Sequence, residues 1–274
     1  MALVEVESVT KNYPRRAGGV FGLRHEDHFV VSDVSLSIER GETLGLVGES
    51  GSGKSTLARM ILGLVEPTSG TIRVAGVEVW KDSVGGNRTQ ALRRQMQPVF
   101  QDPSAALNPR MRVLDIVTEP LIIHKRESGI DTSRTALKAA ARELLISVGL
   151  DESALSRYPH EFSGGQRQRI NIARALALKP QLVVLDEPVS ALDVSVGAQI
   201  VNLLRTLQRD NGLTYLFISH SMPLVRYLST RIAVMERGRL IETGDAEELC
   251  AHPRESYTQQ LLAATPELPG SFMS

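Results

Sequence analysis

Apolar and polar positions alternate through LVEVESV at residues 3–9 and VVSDVSLSI at 30–38, a period of two that predicts strands. Between them a Gly-, Arg- and His-rich stretch over 15–28 reads as an exposed loop joining the two strands. The apolar run ETLGLVG then enters a glycine-rich turn, and in KSTLARMILGL the apolar spacing becomes helical, so strand, loop and helix follow one another. TIRVAGVEVW (71–80) alternates around Ala75 and Gly76 as a hairpin at a sheet edge, and QPVFQDP (97–103) is a short strand stopped by Asp-Pro.

From Val113 to about Leu150 the pattern is helical: TALKAAARELLISVG is built of good helix formers, with Gly149 placed as a C-cap. Residues 102–160 therefore read as a helical insertion. Beyond it come a helix from Gly164 to Ala177, the strand QLVVLD, a helix from about Val194 to Arg209, the strand TYLFIS, a helix over 222–229 and the strand RIAVMERG. Strands alternating with helices predict parallel βαβ units and a sheet covered on both faces. There is no internal repeat or low-complexity tract. The tail from Pro253, which contains Pro266 and Pro269, reads as a loosely attached extension.

At 274 residues the chain suits one main domain with appendages. It is 42% hydrophobic and 23% charged, with 31 basic and 31 acidic residues, so bulk charge excludes a strongly basic nucleic-acid binder and an acidic disordered chain. Cys250 is the single cysteine, which rules out an intramolecular disulfide or a cysteine metal cage and fits a reducing compartment. The opening MALVEVESVTKNY lacks a basic segment followed by an apolar core and reads as a strand rather than a secretory signal. No run approaches the roughly 18–20 apolar residues that span a bilayer, so a membrane role goes through a partner.

GESGSGKST at 48–56 matches G-x-x-x-x-G-K-[ST], with a predicted strand before it and a helix after it. Glycines let such a loop wrap so that backbone N–H groups and a helix N-terminus face phosphate oxygens. Lys54 is then placed to reach β- and γ-phosphates and Ser55 to ligate Mg2+. A phosphate loop needs a carboxylate on a neighbouring strand, and LVVLDE supplies Asp186 for the metal shell and Glu187 as base for an attacking water, although strands also commonly end in acidic turn residues. His220 closes TYLFIS, where it faces a phosphate or is simply exposed; Gln101 sits at the same edge or caps a turn. In FSGGQ, Ser163 is an N-cap and Gly164 and Gly165 allow close backbone approach. That makes either a second phosphate-binding helix start or a well-capped helix that tolerates two glycines.

With these residues in order, the chain resembles the ATPase subunits of ABC transporters over nearly its whole length. GESGSGKST resembles the Walker A motif, LVVLDE the Walker B motif, FSGGQ the ABC signature, Gln101 the Q-loop, SALD (190–193) the D-loop and His220 the switch histidine. The fold this implies is α/β: a P-loop NTPase with a RecA-like parallel-sheet core, an N-terminal antiparallel β subdomain and a helical insertion. The implied division is an ATPase domain over 1–250, with its helical subdomain at about 102–160, and a C-terminal extension over 251–274. The resemblance assigns Tyr13, Gly48, Glu49, Ser50, Gly51, Ser52, Gly53, Lys54, Ser55 and Thr56 to ATP. It assigns Ser163, Gly164, Gly165 and Gln166 to the ATP of a facing subunit, Asp193 to nucleotide binding, Ser55, Gln101 and Asp186 to Mg2+, and Glu187, His220, Gln101 and Lys54 to hydrolysis.

VFQDPSAALNPRM, DEPVSALDVSV and HPRESYTQQLLAATPEL resemble the oligopeptide, dipeptide and nickel importer branch more closely. The implied protein is an ATP-hydrolysing subunit at the cytoplasmic face of the inner membrane. It would work with integral membrane permeases, a second ATPase subunit, identical or paralogous, and, through the permeases, an extracytoplasmic solute-binding protein; no nucleic acid is expected. The alternative is a soluble ABC ATPase acting on DNA or ribosomes, although neither the long coiled-coil insertion nor the duplicated ATPase unit usual in that group is present. Phe162 replaces the usual signature leucine, Ser221 stands where aspartate commonly follows the switch histidine, and Arg254, Glu255 and Ser256 interrupt the usual pattern of the tail.

Overall fold

The computed structural model describes residues 2–17, 24–80, 87–125 and 129–264. The described residues fall into two units: one holds those up to 80 together with 218–264, the other 87–217.

In the first unit, β1 (Ala2–Ala17) and β2 (Arg24–Glu39) form a long antiparallel pair. Sequence predicts a loop over 15–28, but the ladder continues through Tyr13–His28 and Pro14–Asp27 to Ala17–Arg24. Backbone pairing carries these strands through a stretch whose side chains give no alternation. β1 also pairs antiparallel with β4 (Ser69–Val74), which turns through Ala75 and Gly76 into β5 (Val77–Glu78), the expected hairpin. Both turn residues have positive φ, 51° and 74°, as a tight two-residue hairpin turn requires.

The strand that feeds the glycine-rich loop at 48–53, β3 (Thr43–Val47), is buried at every position. It runs parallel to β9 (Arg231–Glu236), which pairs antiparallel with β10 (Arg239–Asp245). α1 (Lys54–Ile61) buries Leu57, Ala58, Met60 and Ile61, the positions its helical spacing predicts. α8 (Met222–Leu228) crosses β3 at Gly45, where a side chain would meet Val225 Cγ1 at 2.2 Å and Ser229 Oγ at 2.5 Å. After α9 (Ala246–Ala251), the chain ends its described course in α10 (Ser256–Ala263). Thr258 of α10 is fully buried, so this part of the tail is packed rather than loosely attached. The expectation for Pro266 and Pro269 falls outside the described residues.

In the second unit, α2 (Asn87–Gln95) leads into β6 (Met96–Val99), which lies parallel to β7 (Leu182–Asp186), with β8 (Thr214–Ile218) on β7's other side. A helical layer follows β6: α3 (Pro103–Ala106), α4 (Val113–Ile123), α5 (Arg134–Ser147) and two short 3-10 turns at Glu152–Ser156 and Pro159–Glu161. Its core is Val113, Ile116, Val117, Leu121, Ala141, Leu145 and Val148, each at most 6% exposed. α5 ends as its sequence indicates, with Gly149 at φ 72°. α6 (Gly164–Leu176) and α7 (Val194–Asn211) complete the unit. Among the described residues no helix is long and apolar enough to cross a membrane.

Gly45→Ala is expected to lower stability by about 1–3 kcal/mol, because α8 must move to admit the methyl group. The check is the midpoint of thermal unfolding; an unchanged midpoint would mean that α8 does not sit on β3 at this distance.

Candidate nucleotide site

The glycine-rich loop at 48–53 is held by neighbouring strands and by Lys54. β3 delivers the chain to Gly48, whose hypothetical Cβ would lie 2.1 Å from the Met235 carbonyl oxygen, and Gly53, at φ 104°, would meet the Val30 carbonyl at 2.4 Å. Glycine is required at both points by a neighbouring strand. Lys54, the first residue of α1 and only 5% exposed, folds back over the loop. Its ammonium donates to the carbonyls of Gly48 at 2.8 Å and Glu49 at 2.7 Å and to Ser52 Oγ at 3.3 Å. The Ser52 amide donates to the Glu49 carbonyl as well, closing the turn 49–52. At Gly51 the space a side chain would fill is open.

In the same unit, His220 is exposed and follows β8 by two residues. Its segment is fixed by the Ser219 amide on the Leu46 carbonyl of β3 at 3.4 Å and by the Ser221 amide on Ser219 Oγ at 3.0 Å. Ser221 is the N-cap of α8 but makes no side-chain cap bond. Tyr13 is an exposed ring on β1, with the Lys11 ammonium 5.1 Å from its centroid.

The second unit gathers the other predicted residues. The parallel register sets Val99 beside Leu185, so two residues beyond each lie Gln101 and Glu187. Gln101 Nε2 donates to Glu187 Oε2 at 3.1 Å, which makes these two sequence candidates direct partners. Glu187 has φ 49°, a left-handed conformation costly for a residue with a Cβ. The Ser190 amide and hydroxyl both donate to its carbonyl and hold that turn. Asp186 is the last residue of β7 and is half-buried. Asp193 caps α7, accepting from the Val196 amide at 3.0 Å and the Ser195 hydroxyl at 2.8 Å; these bonds, the Val196 one first, hold its carboxyl below the usual range.

FSGGQ forms the start of α6 through a full capping box. Ser163 Oγ accepts from the Gln166 amide, and Gln166 Oε1 accepts from the Ser163 amide. The S-x-x-Q spacing carried that signal in the sequence. The glycines also answer to packing: a Cβ on Gly165 would meet Val196 Cγ1 at 2.4 Å, and one on Gly164 would meet Leu192 Cδ2 at 3.2 Å. Phe162 is 4% exposed with the Arg157 guanidinium 4.2 Å from its ring, so an aromatic side chain fits where the family favours leucine.

Two arginines that motif reading passed over tie α6 to the segment after Gln101. Arg167 donates to the Phe162 carbonyl and to Ser104 Oγ, both at 3.0 Å. Arg174 donates to the Ala106 carbonyl at 2.6 Å and Asn171 Oδ1 at 3.1 Å. Burial pulls the Arg174 pKa down, opposed by Glu119. Among the described residues no three His, Cys, Asp or Glu side chains cluster as a metal site.

The model of the ABC transporter family matches residues 31–190, more than half of the chain. The chain belongs to that family. It is 50% identical to an oligopeptide transport ATP-binding protein of Bacillus subtilis, over 86% of this chain and 76% of that protein. It is also 50% identical to a dipeptide transport ATP-binding protein of Lactococcus lactis, over 86% of this chain and 74% of that one. Among solved structures it is similar to a dimeric ATP-binding cassette in a post-hydrolysis state with bound ADP and phosphate, at TM-score 0.74 and 31% identity, covering 89% of this chain and 98% of that one. Proteins of this family bind ATP, and the loop at 48–56 fits a triphosphate: a buried ammonium, an open edge at Gly51 and the first turn of α1 lie together.

Gly165→Ala is expected to cost about 1–3 kcal/mol of stability by forcing α6 from α7, and Val196→Ala in the same chain should recover part of it. Chemical denaturation of the single and double variants measures this. Additive losses would show that the two positions do not compete for space.

Proposed function

We propose that the chain powers an ABC importer for peptides, hydrolysing ATP between two ATPase subunits to drive permeases in the membrane. The two relatives named above, both peptide-transport ATP-binding proteins, support the solute class and favour the importer over a soluble ABC ATPase. Its proposed partners are two permeases, a second ATPase subunit and, through the permeases, an extracytoplasmic binding protein. The chain would sit on the cytoplasmic face of the membrane, with the helices within 102–160 as the permease-docking subdomain, residues 1–250 as the ATPase domain and 251–274 as its extension.

In the proposed cycle, Lys54 and the loop amides grip the β- and γ-phosphates, and Tyr13 stacks on adenine. Ser163, Gly164, Gly165 and Gln166, at a capped helix start, meet the γ-phosphate held by the facing subunit, beside Asp193. On the motifs alone, Ser55, Asp186 and Gln101 are assigned to Mg2+. Held there, the ion would neutralise charge on the phosphate oxygens. Glu187 orients and deprotonates the attacking water, His220 holds the γ-phosphate end, and Gln101 reports occupancy to the permease. Loss of the γ-phosphate removes the attraction between subunits, so binding and hydrolysis shift the population between closed and open dimers.

The observation that carries the catalytic assignment is the Gln101–Glu187 hydrogen bond at the ends of two parallel strands. It couples the proposed base to the proposed sensor. Glu187→Gln should keep ATP binding, lower phosphate release about 10²–10⁴-fold and accumulate an ATP-dependent dimer on size exclusion. Turnover at the wild-type rate would exclude Glu187 as the base.

A further inference from the structure

The C-terminal segment reaches the phosphate loop. Tyr257, in the first turn of α10, accepts a hydrogen bond on its phenol oxygen from the Glu49 amide at 3.0 Å. That N–H belongs to the peptide unit joining Gly48 to Glu49, and the carbonyl of the same unit accepts from the Lys54 ammonium at 2.8 Å. A peptide unit is planar and trans, so its N–H and C=O point in opposite directions and turn together. The 48–49 unit is thus pinned at both ends, by the tail on one side and by the phosphate-reaching lysine on the other. The next carbonyl, of Glu49, also takes Lys54, at 2.7 Å, so a rotation at this unit disturbs two of the acceptors on which the ammonium rests.

The tail is itself held in place by the hairpin that supports the loop. Glu242 of β10 accepts from the Arg254 amide at 2.9 Å and the Glu255 amide at 3.2 Å, one on each carboxylate oxygen. These are the amides just before α10, so the carboxylate anchors its start. Gln259 Nε2 closes onto the Pro253 carbonyl at 3.1 Å, and Thr258 is fully buried beside Tyr257. The same hairpin touches the loop directly: the Gly238 amide donates to the Ser52 carbonyl at 2.9 Å, and Met235 packs its carbonyl where a Gly48 side chain would stand.

We propose that Tyr257 is a positioning residue for the nucleotide loop: its phenol oxygen fixes the Gly48–Glu49 peptide and so sets the Lys54 ammonium for phosphate binding. The tail then acts as a brace from β10 to the loop, and Arg254, Glu255 and Ser256, which break the family pattern, lie where backbone amides rather than side chains make the anchor. The proposal rests on residues 48–56 being the nucleotide loop, and the test separates the two.

The variants are Tyr257→Phe, Glu242→Ala and their combination in the full chain. Three quantities are measured: amide hydrogen exchange over peptides covering 45–54 without nucleotide, the dissociation constant for MgATP by titration calorimetry, and the unfolding midpoint. In Tyr257→Phe, exchange should rise in the loop and not elsewhere, and MgATP should bind about threefold to tenfold more weakly, the effect of one lost hydrogen bond, with the midpoint close to wild type. Glu242→Ala should reproduce the affinity loss, and the double variant should add nothing to it. Wild-type loop exchange in Tyr257→Phe, exchange that rises throughout the chain, or additive losses in the double variant would each overturn the positioning role. Failure of the wild-type chain to bind MgATP would instead overturn the nucleotide reading, and the loop exchange would still decide whether Tyr257 positions the loop.

Discussion

A buried ammonium group organises the glycine-rich loop of the first unit. A desolvated cation is costly unless its donors are satisfied, and Lys54 meets that demand inside its own loop, on Gly48, Glu49 and Ser52. Hydrogen bonds to a charged group contribute about 1.5–3 kcal/mol each, enough to shape a short glycine-rich segment around the charge. The features around it follow from that arrangement. β3 is buried throughout because it must deliver the loop to the lysine from the core, Gly48 and Gly53 lack side chains because strands press on both ends, and α8 crosses β3 where Gly45 leaves room.

The second unit solves a different problem, the aiming of a carboxylate. β6 and β7 lie parallel, and their register alone brings Gln101 and Glu187 level with each other. Glu187 then leaves the strand in a left-handed conformation that costs about 1–3 kcal/mol, offset by two hydrogen bonds from Ser190 to its carbonyl. Such strain is tolerated where it directs a side chain, and here the carboxylate points to the Gln101 amide. From Gln101 the chain runs directly into α3, where Arg167 and Arg174 of α6 donate to Ser104 and Ala106.

Local pattern made much of this legible. The strand, loop and helix around 48–56, the apolar run ending in Asp186 and Glu187, and the capped start of α6 are written in consecutive residues, where period and capping chemistry act. The family resemblance added roles that spacing alone left open, since Ser163 as a plain helix cap and Ser163 as a phosphate contact look alike in sequence. The structure shows the capped helix, whose glycines admit Val196 and Leu192 and whose start at Ser163 and Gly164 is exposed. What the sequence hid depends on distant partners. Residues 15–17 and 24–28 are strand because each pairs with the other, not because either alternates. Tyr257 reads as part of a loose tail because its partner Glu49 lies 208 residues away and Glu242 lies 12 residues from the Arg254 amide it holds. Arg167 and Arg174 likewise read as ordinary charges on a helix until the α3 segment is laid against them.

Titration calorimetry of MgATP into the wild-type chain and Lys54→Met, which keeps an unbranched side chain one atom shorter and removes its charge, tests the central role of the ammonium most directly. The expected result is a dissociation constant raised about tenfold or more in the variant, with the unfolded fraction unchanged by circular dichroism. Equal affinity in the two proteins would contradict it, since the phosphates would then be held without the one cation around which the loop is built.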